Sequence, residues 1–424
     1  FVIAGVLLAV TTVGGQTVQL ESDQFPTDVQ LKELSPTAIG NSMGDGGVLG
    51  RRSNGSLLGI DSLTNWSSYF YQPGVDSSDF PQFTWPYTMV GRSPFRPAEN
   101  HDEGDDDHGD GTTWIPAPVV AVNLDLRNAD GSIRFVNGKR LFSDATQYVD
   151  PTLKSPVFDN SPYGSSHRPT QFGDAIQRAE FFKSADDDWH TMLKPRVEQT
   201  RTLVLRRGQY FFALNADGSC CRLVLINFAA FVNGMFPPTA SDTSTVMGAA
   251  ENAHQITTRD LSTFLFNNAY LYFNGNPNDC CVLGFHSYDL EPGDAGNGWR
   301  ERRYVMNYAS WISPGIFAGP ADVSALSHEV AETLNDPFGN NTTPWWLAPN
   351  GLCQNNLETG DVIEGLPNEI FPITMNGRTY HTQNEALLQW FAGVTPSSAF
   401  QHAYSYPDTT VLTSASVSQA FFCQ

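Results

Sequence analysis

The stretch that decides the reading is Ala321-Asp322-Val323-Ser324-Ala325-Leu326-Ser327-His328-Glu329-Val330-Ala331-Glu332-Thr333-Leu334-Asn335-Asp336-Pro337. On a wheel of about 100° per residue, Val323, Leu326, Val330 and Leu334 share one face. His328 and Glu332 lie side by side on the opposite face, one turn apart, and Glu329 lies on its flank. The spacing predicts a helix from about Ala321 to Asn335. Pro320 suits a helix entry and Asp322 is the expected N-cap. Asp336-Pro337 ends the helix, because the residue before a proline avoids the α region.

Two ligating side chains at i and i+4 grip one ion, and a carboxylate beside the first polarises the water that the ion holds. The segment thereby resembles the His-Glu-x-x-His helix of the zincin peptidases. That resemblance implies a zincin-like mixed sheet of the α+β class, a divalent cation and a peptide substrate. It places His328 at the first ligand, Glu329 at the general base and Glu332 where a second His would stand. In the gluzincin branch the third ligand is a downstream Glu, matched by Glu358 in Asn355-Asn356-Leu357-Glu358-Thr359-Gly360-Asp361, with Asp361 as competitor. Zn²⁺ is the first expectation. Glu in place of His adds a hard anionic donor, which favours Mn²⁺, Fe²⁺ or Ca²⁺ and weakens Lewis acidity. The alternative is a plain helix with Val323, Leu326, Val330 and Leu334 inward and its polar side chains solvated.

Zincins run an edge strand beside the metal helix, and Tyr304-Val305-Met306-Asn307-Tyr308-Ala309 stands where that strand is expected. Tyr380 or His381 could stabilise an oxyanion, or simply pack at a hairpin end. The Asx-Pro helix stop, the downstream Trp345-Trp346 and the acidic segment with Cys353 also resemble the plant phosphate-induced, EXORDIUM-type secreted proteins, over about residues 280–424. That likeness implies an extracellular location more firmly than any reaction.

The rest of the chain reads as strands with few helices. Val119–Leu124, Thr202–Leu205, Tyr210–Leu214, Leu223–Phe228, Val282–Tyr288 and Tyr304–Ile312 are predicted strands. Asn137-Gly138 and Asn376-Gly377 mark hairpin turns. Phe172, Ala175, Ile176, Ala179 and Phe182 recur at helical steps. Leu261–Phe273 is apolar, with no period to choose helix or strand. Asn384–Ala392 reads as a short helix closed by Gly393. This order predicts a mixed α+β domain over 114–424. Residues 17–113 read as a loosely structured, Gly- and Pro-rich acidic region, a possible propeptide. Its run His101–Asp110 lacks the ligand alternation of an EF-hand and reads as a solvated linker.

Formal net charge is −21 over 424 residues. That sign repels phosphate backbones and anionic lipid, so neither nucleic acid nor a membrane surface is an expected partner. The apolar run Phe1–Val10, followed by small residues to Gln16, reads as the remnant of a signal peptide and predicts export. It is too short to span a bilayer. The chain has six cysteines. An even number in an exported protein points to disulfides, expected between the doublets Cys220-Cys221 and Cys280-Cys281 and from Cys353 to Cys423. Sequons at Asn54, Asn65, Asn340 and Asn341 fit a glycoprotein. Two functions follow: a secreted metal-dependent hydrolase, most simply a peptidase using Glu329, or a non-catalytic wall or matrix protein with a structural ion.

Overall fold

Runs rich in Val, Ile, Phe and Tyr pair into one large mixed sheet. The computed structural model describes residues 23–27, 31, 38–40, 63–77, 80–95 and 111–416. The early strands are β1 (Gln24–Phe25), β2 (Ala38–Gly40), β3 (Asn65–Ser77), β4 (Phe80–Val90), β5 (Thr112–Arg127), β6 (Phe135–Val136), β7 (Lys139–Arg140) and β8 (Phe142–Ser143). Next come β9 (His190–Val197), β10 (Arg201–Arg206), β11 (Tyr210–Leu214), β12 (Cys220–Asn227), β13 (Ser262–Asn267), β14 (Ala269–Tyr272), β15 (Cys280–Glu291) and β16 (Arg302–Trp311). The last are β17 (Thr342–Leu347), β18 (Cys353–Asn356), β19 (Ile370–Met375), β20 (Arg378–Gln383), β21 (Glu385–Ala386) and β22 (Ser405–Tyr406). The α-helices are α1 (Val149–Leu153), α2 (Phe172–Glu180), α3 (Phe228–Met235), α4 (Val246–Asn252), α5 (Ser324–Asn335) and α6 (Leu388–Phe391).

The sheet runs β1-β11-β12-β14-β15-β16-β13-β5-β10, with β2 beside β15 and β8 and β9 beside β5. Its centre mixes directions: β15 is antiparallel to β14 and β16, while β16, β13 and β5 run parallel. Alternate residues of a strand face opposite sides. Met306 and Tyr308 of β16 therefore join Phe231 and Met247 of α3 and α4, while Val305, Ala309 and Trp311 meet Leu326, Val330 and Leu334 of α5. The apolar stripe of α5 packs as its spacing predicts. The polar face is also buried, because the segment from β18 to α6 covers it. Every residue of α5 is buried.

The structure corrects several expectations. Within the region expected to be loose, β3 and β4 pair as a long hairpin whose Trp66, Trp85, Tyr87 and Met89 pack with Trp346 and Trp390. Thr88 N–H donates to Asn341 Oδ1 and Asn341 Nδ2 donates to the Thr88 carbonyl, each at 2.8 Å. Asn341 is thus an internal tie, 3% exposed, and its sequon offers no acceptor for sugar. Asn54 and the run 101–110 lie outside the described residues. Asp322 is not the N-cap of α5. It precedes the helix with φ of 38° and accepts hydrogen bonds from His381, while Val323 holds the cap position without a side-chain bond. Leu261–Phe273 forms two strands, and Asn384–Ala392 forms the short β21 followed by a single turn, α6.

Each cysteine doublet closes on itself, Cys220 with Cys221 and Cys280 with Cys281. Topology forbids the expected cross-links. Strand β14 separates β12 from β15, and Asn227, at the far end of β12 from Cys220, lies level with Tyr272, the partner of Cys280. Seven residues of strand place the doublets roughly 20 Å apart, against a limit of about 7 Å between bonded Cα atoms. Cys353 is disulfide-bonded. Its expected partner, Cys423, lies outside the described residues. Strand β16 is also not an edge: it lies between β15 and β13, so its backbone has no free side on which an extended substrate could add.

Candidate metal centre

Helix α5 presents His328 and Glu332 toward the cover and Glu329 toward Gly284 and His286 of β15, and all three are 0% exposed. Strand β18 leads into the turn Leu357–Asp361, which carries Glu358 and Asp361 down onto the same helix face, both also 0% exposed. The turn is fixed by the helix itself: Glu332 Oε1 accepts the Gly360 N–H at 2.9 Å and the Asp361 N–H at 3.3 Å. Gln383 of β20 holds the turn from the other side, its Nε2 donating to the Gly360 carbonyl at 2.8 Å. Glu332 lies with His328 and Asp361 in one group and with Glu358 in another, so Asp361, the competitor, and not Glu358 stands as the third candidate ligand beside His328. Glu329 stands beside them, its Oε1 4.0 Å from His328 Nε2.

The structure adds a residue that the sequence reading missed. Strand β15 alternates, so Phe285 packs toward α3 while Gly284 and His286 face α5. His286 Nδ1 lies 3.4 Å from Glu332 Oε2 and 3.6 Å from Glu329 Oε2. The only sequence signal was a lone imidazole following the apolar first half of a strand, Cys280 to Phe285. Glu385 of β21 also approaches, with Oε2 accepting from Thr359 Oγ1 at 2.9 Å.

Two triads result, His328–Glu332–Asp361 and His286–Glu332–Glu358, each with ligand atoms within 4.8 Å of one another. Glu332 Oε2 lies 3.1 Å from His328 Nε2. That is about the separation of neighbouring ligands around an ion bound at 2.0–2.2 Å. The pair is not aligned as a hydrogen bond: among the described residues, no well-aligned hydrogen bond reaches either ring nitrogen of either histidine. Nor does one reach either Glu329 oxygen, Glu332 Oε2, Glu358 Oε2, Asp361 Oδ1 or Glu385 Oε1. Buried polar atoms are nearly always paired, and leaving one unpaired costs roughly 1–3 kcal/mol. His190 shows the contrast. Equally buried, it has Asp174 Oδ2 at 2.7 Å and Arg168 Nε at 3.1 Å on its two nitrogens.

The electrostatics agree with a site made for positive charge. Burial alone would lower the basicity of His328, but Glu332 and Glu329 outweigh it and hold the imidazole well above its usual range. His286 behaves likewise, with burial outweighed by Glu329 and Glu332. Burial also drives Glu358 and Asp361 well upward, reinforced in both by the charge of Glu332. Glu332 moves the other way: burial would raise it, and the two histidines pull it below the carboxylate range. The raised imidazoles and carboxylates hold protons that a divalent cation at this position would displace.

Tyr380 and His381 are engaged elsewhere. The Tyr380 hydroxyl donates to the Pro151 carbonyl at 2.9 Å, and His381 Nδ1 lies 2.7 Å from Asp322 Oδ2. A third group, Glu251, Asp289 and Glu291, gathers at the far end of β15 from carboxylates alone. No family model, curated protein or solved structure matches the chain.

Proposed function

We propose that the chain is a metalloprotein of the cell exterior whose buried histidine–carboxylate centre ties α5 to the β18–β21 segment. The observation that carries this reading is the gathering of unpaired buried ligand atoms from α5, β15 and the turn after β18 on one small volume. Burying such a set without an ion leaves uncompensated charge, which proteins avoid by pairing or by coordination. Closed coordination is the mark of a structural metal, whereas catalytic sites keep an open position. His286, His328, Glu329, Glu332, Glu358 and Asp361 expose between 0 and 3% of their surface. Paired imidazoles with carboxylates suit Zn²⁺ or Mn²⁺. The two doublet disulfides and the strongly negative charge fit an oxidising exterior.

A second reading, a zincin-like metal-dependent hydrolase acting on peptides, is favoured by Glu329. Its two free oxygens lie beside both histidines, where a carboxylate can take and return a proton. A bound cation would supply Lewis acidity there. The interior position of β16 removes the strand on which a zincin would dock its substrate.

The readings separate in one set of measurements on the full chain. Metal content by mass spectrometry is expected to be stoichiometric, chelation to lower the melting temperature by several degrees, and casein to stay intact. Glu332→Gln is expected to lose the metal. Cleavage that vanishes both with chelator and in a metal-replete Glu329→Gln variant would transfer the assignment to the hydrolase. Absence of metal in the native chain, with no uptake of added Zn²⁺ or Mn²⁺, overturns both.

A further inference from the structure

We propose that the centre holds two cations, bridged by Glu332 and Glu329, with His286 as the nitrogen ligand of the second. The inference rests on the metal reading above and extends it. The two triads share a single member, Glu332, and otherwise duplicate each other: one imidazole and one separate carboxylate apiece. Glu332 Oε2 lies 3.1 Å from His328 Nε2 and 3.4 Å from His286 Nδ1, so one oxygen serves both positions. Glu329 divides its oxygens instead, Oε1 lying 4.0 Å from His328 Nε2 and Oε2 3.6 Å from His286 Nδ1. That is the posture of a carboxylate spanning two ions, which in such pairs stand about 3.5–4 Å apart.

The outer carboxylates repeat the same design. Asn356 Nδ2 donates to Glu358 Oε1 and Gln354 Nε2 donates to Asp361 Oδ2, both at 2.6 Å. In each residue the other oxygen is buried and has no hydrogen-bond partner among the described residues. An amide that fixes one oxygen and leaves the other free is how outer hydrogen bonds orient a ligand. A single ion at His328 would leave His286 and Glu358 buried with empty ligand atoms. Charge points the same way. Glu329, Glu332, Glu358, Asp361 and the neighbouring Glu385 gather five buried carboxylates around two imidazoles, more anionic donors than one divalent cation can coordinate or neutralise.

The backbone also makes room on both sides. A Cβ on Gly360 would run into the His328 ring, and one on Gly284 would lie 2.7 Å from Glu329 Oε1.

The test strips the full chain with chelator, reloads it with Mn²⁺ or Zn²⁺, and counts bound metal by mass spectrometry. Electron paramagnetic resonance of the Mn²⁺ form reads the distance between ions. Two ions per chain are expected, with the spectrum of an exchange-coupled pair. His286→Ala and Glu358→Gln are each expected to halve the count and restore the six-line signal of isolated Mn²⁺. If either variant fails to fold, the other variant and the coupling in the unaltered chain decide. One ion per chain, unchanged in either variant, overturns the pair while leaving the metal centre standing. Two uncoupled ions, undiminished by those substitutions, place the second ion elsewhere and overturn it too. No bound ion removes the underlying reading as well.

Discussion

Gly360 carries no side chain because the His328 ring occupies the space where its Cβ would be. The residue also donates its N–H to Glu332 Oε1 at 2.9 Å, so the turn and the ligand are fixed together. Gly360→Ala is therefore expected to displace His328 or lift the turn. Metal affinity should fall about tenfold or more, the usual cost of disturbing the groups that orient ligands. Isothermal titration with Zn²⁺ measures it, and unchanged affinity would show that the turn does not position the imidazole. How much of this centre the sequence disclosed depends on where each ligand comes from. His328, Glu329 and Glu332 were legible because a helix converts a fixed spacing into a shared face. Glu358 and Asp361 were readable only through the resemblance to gluzincins, which expects a carboxylate downstream. His286 was not legible, since nothing in a strand reveals which helix its alternate residues will face.

Helix α5 meets α2 at a contact that one missing methyl permits. A Cβ on Gly173 would overlap Leu334 Cδ1 and lie 3.5 Å from Val330 Cγ1. Gly→Ala within a helix ordinarily stabilises by roughly 0.5–1 kcal/mol. Here overpacking should reverse the sign, so that Gly173→Ala costs about 1–3 kcal/mol in denaturant unfolding. Leu334→Ala alone should cost about 2–5 kcal/mol through the cavity it leaves. Combined, the two changes should cost less than their sum, because each fills or vacates the same space. Strict additivity would mean that the helices do not press on each other there. The elements themselves were mostly readable: the stripe of α5, the start of α2, both Asn-Gly hairpins and most central strands. The failures share a cause. Period-two and period-3.6 patterns report which face is apolar, but they do not report what lies beside it. The edge position of β16, the solvated state of the α5 polar face and the cross-links between cysteine doublets all depended on neighbours supplied by distant chain.

The long hairpin β3–β4 shows the same dependence across the molecule, since its aromatic residues complete a core with Trp346 and Trp390 contributed by the C-terminal third. Near that junction sits Glu180, at the end of α2, fully buried and pushed up to about 8 by burial despite hydrogen bonds from Leu388 N–H and Asn335 Nδ2. Its ordinary value is 4.5, so the folded chain keeps the proton through a range where the unfolded chain loses it. The sign follows from linkage: stability from this group is complete below about pH 4.5 and is lost as pH rises toward 8. By pH 7 the loss amounts to roughly 3 kcal/mol. Glu180→Gln keeps an acceptor for Asn335 and Leu388 without the titration, so it should stabilise the chain at pH 7 and flatten this part of the pH profile. The proposed metal centre would contribute with the opposite slope, because a cation would compete with protons on His286, His328 and the carboxylates and bind more tightly as pH rises. Melting curves in chelator should therefore fall from pH 5 to pH 8, and those in saturating Zn²⁺ should fall less or rise. Identical slopes with and without Zn²⁺ would mean that no proton is exchanged for metal, and the buried centre would need another source of positive charge.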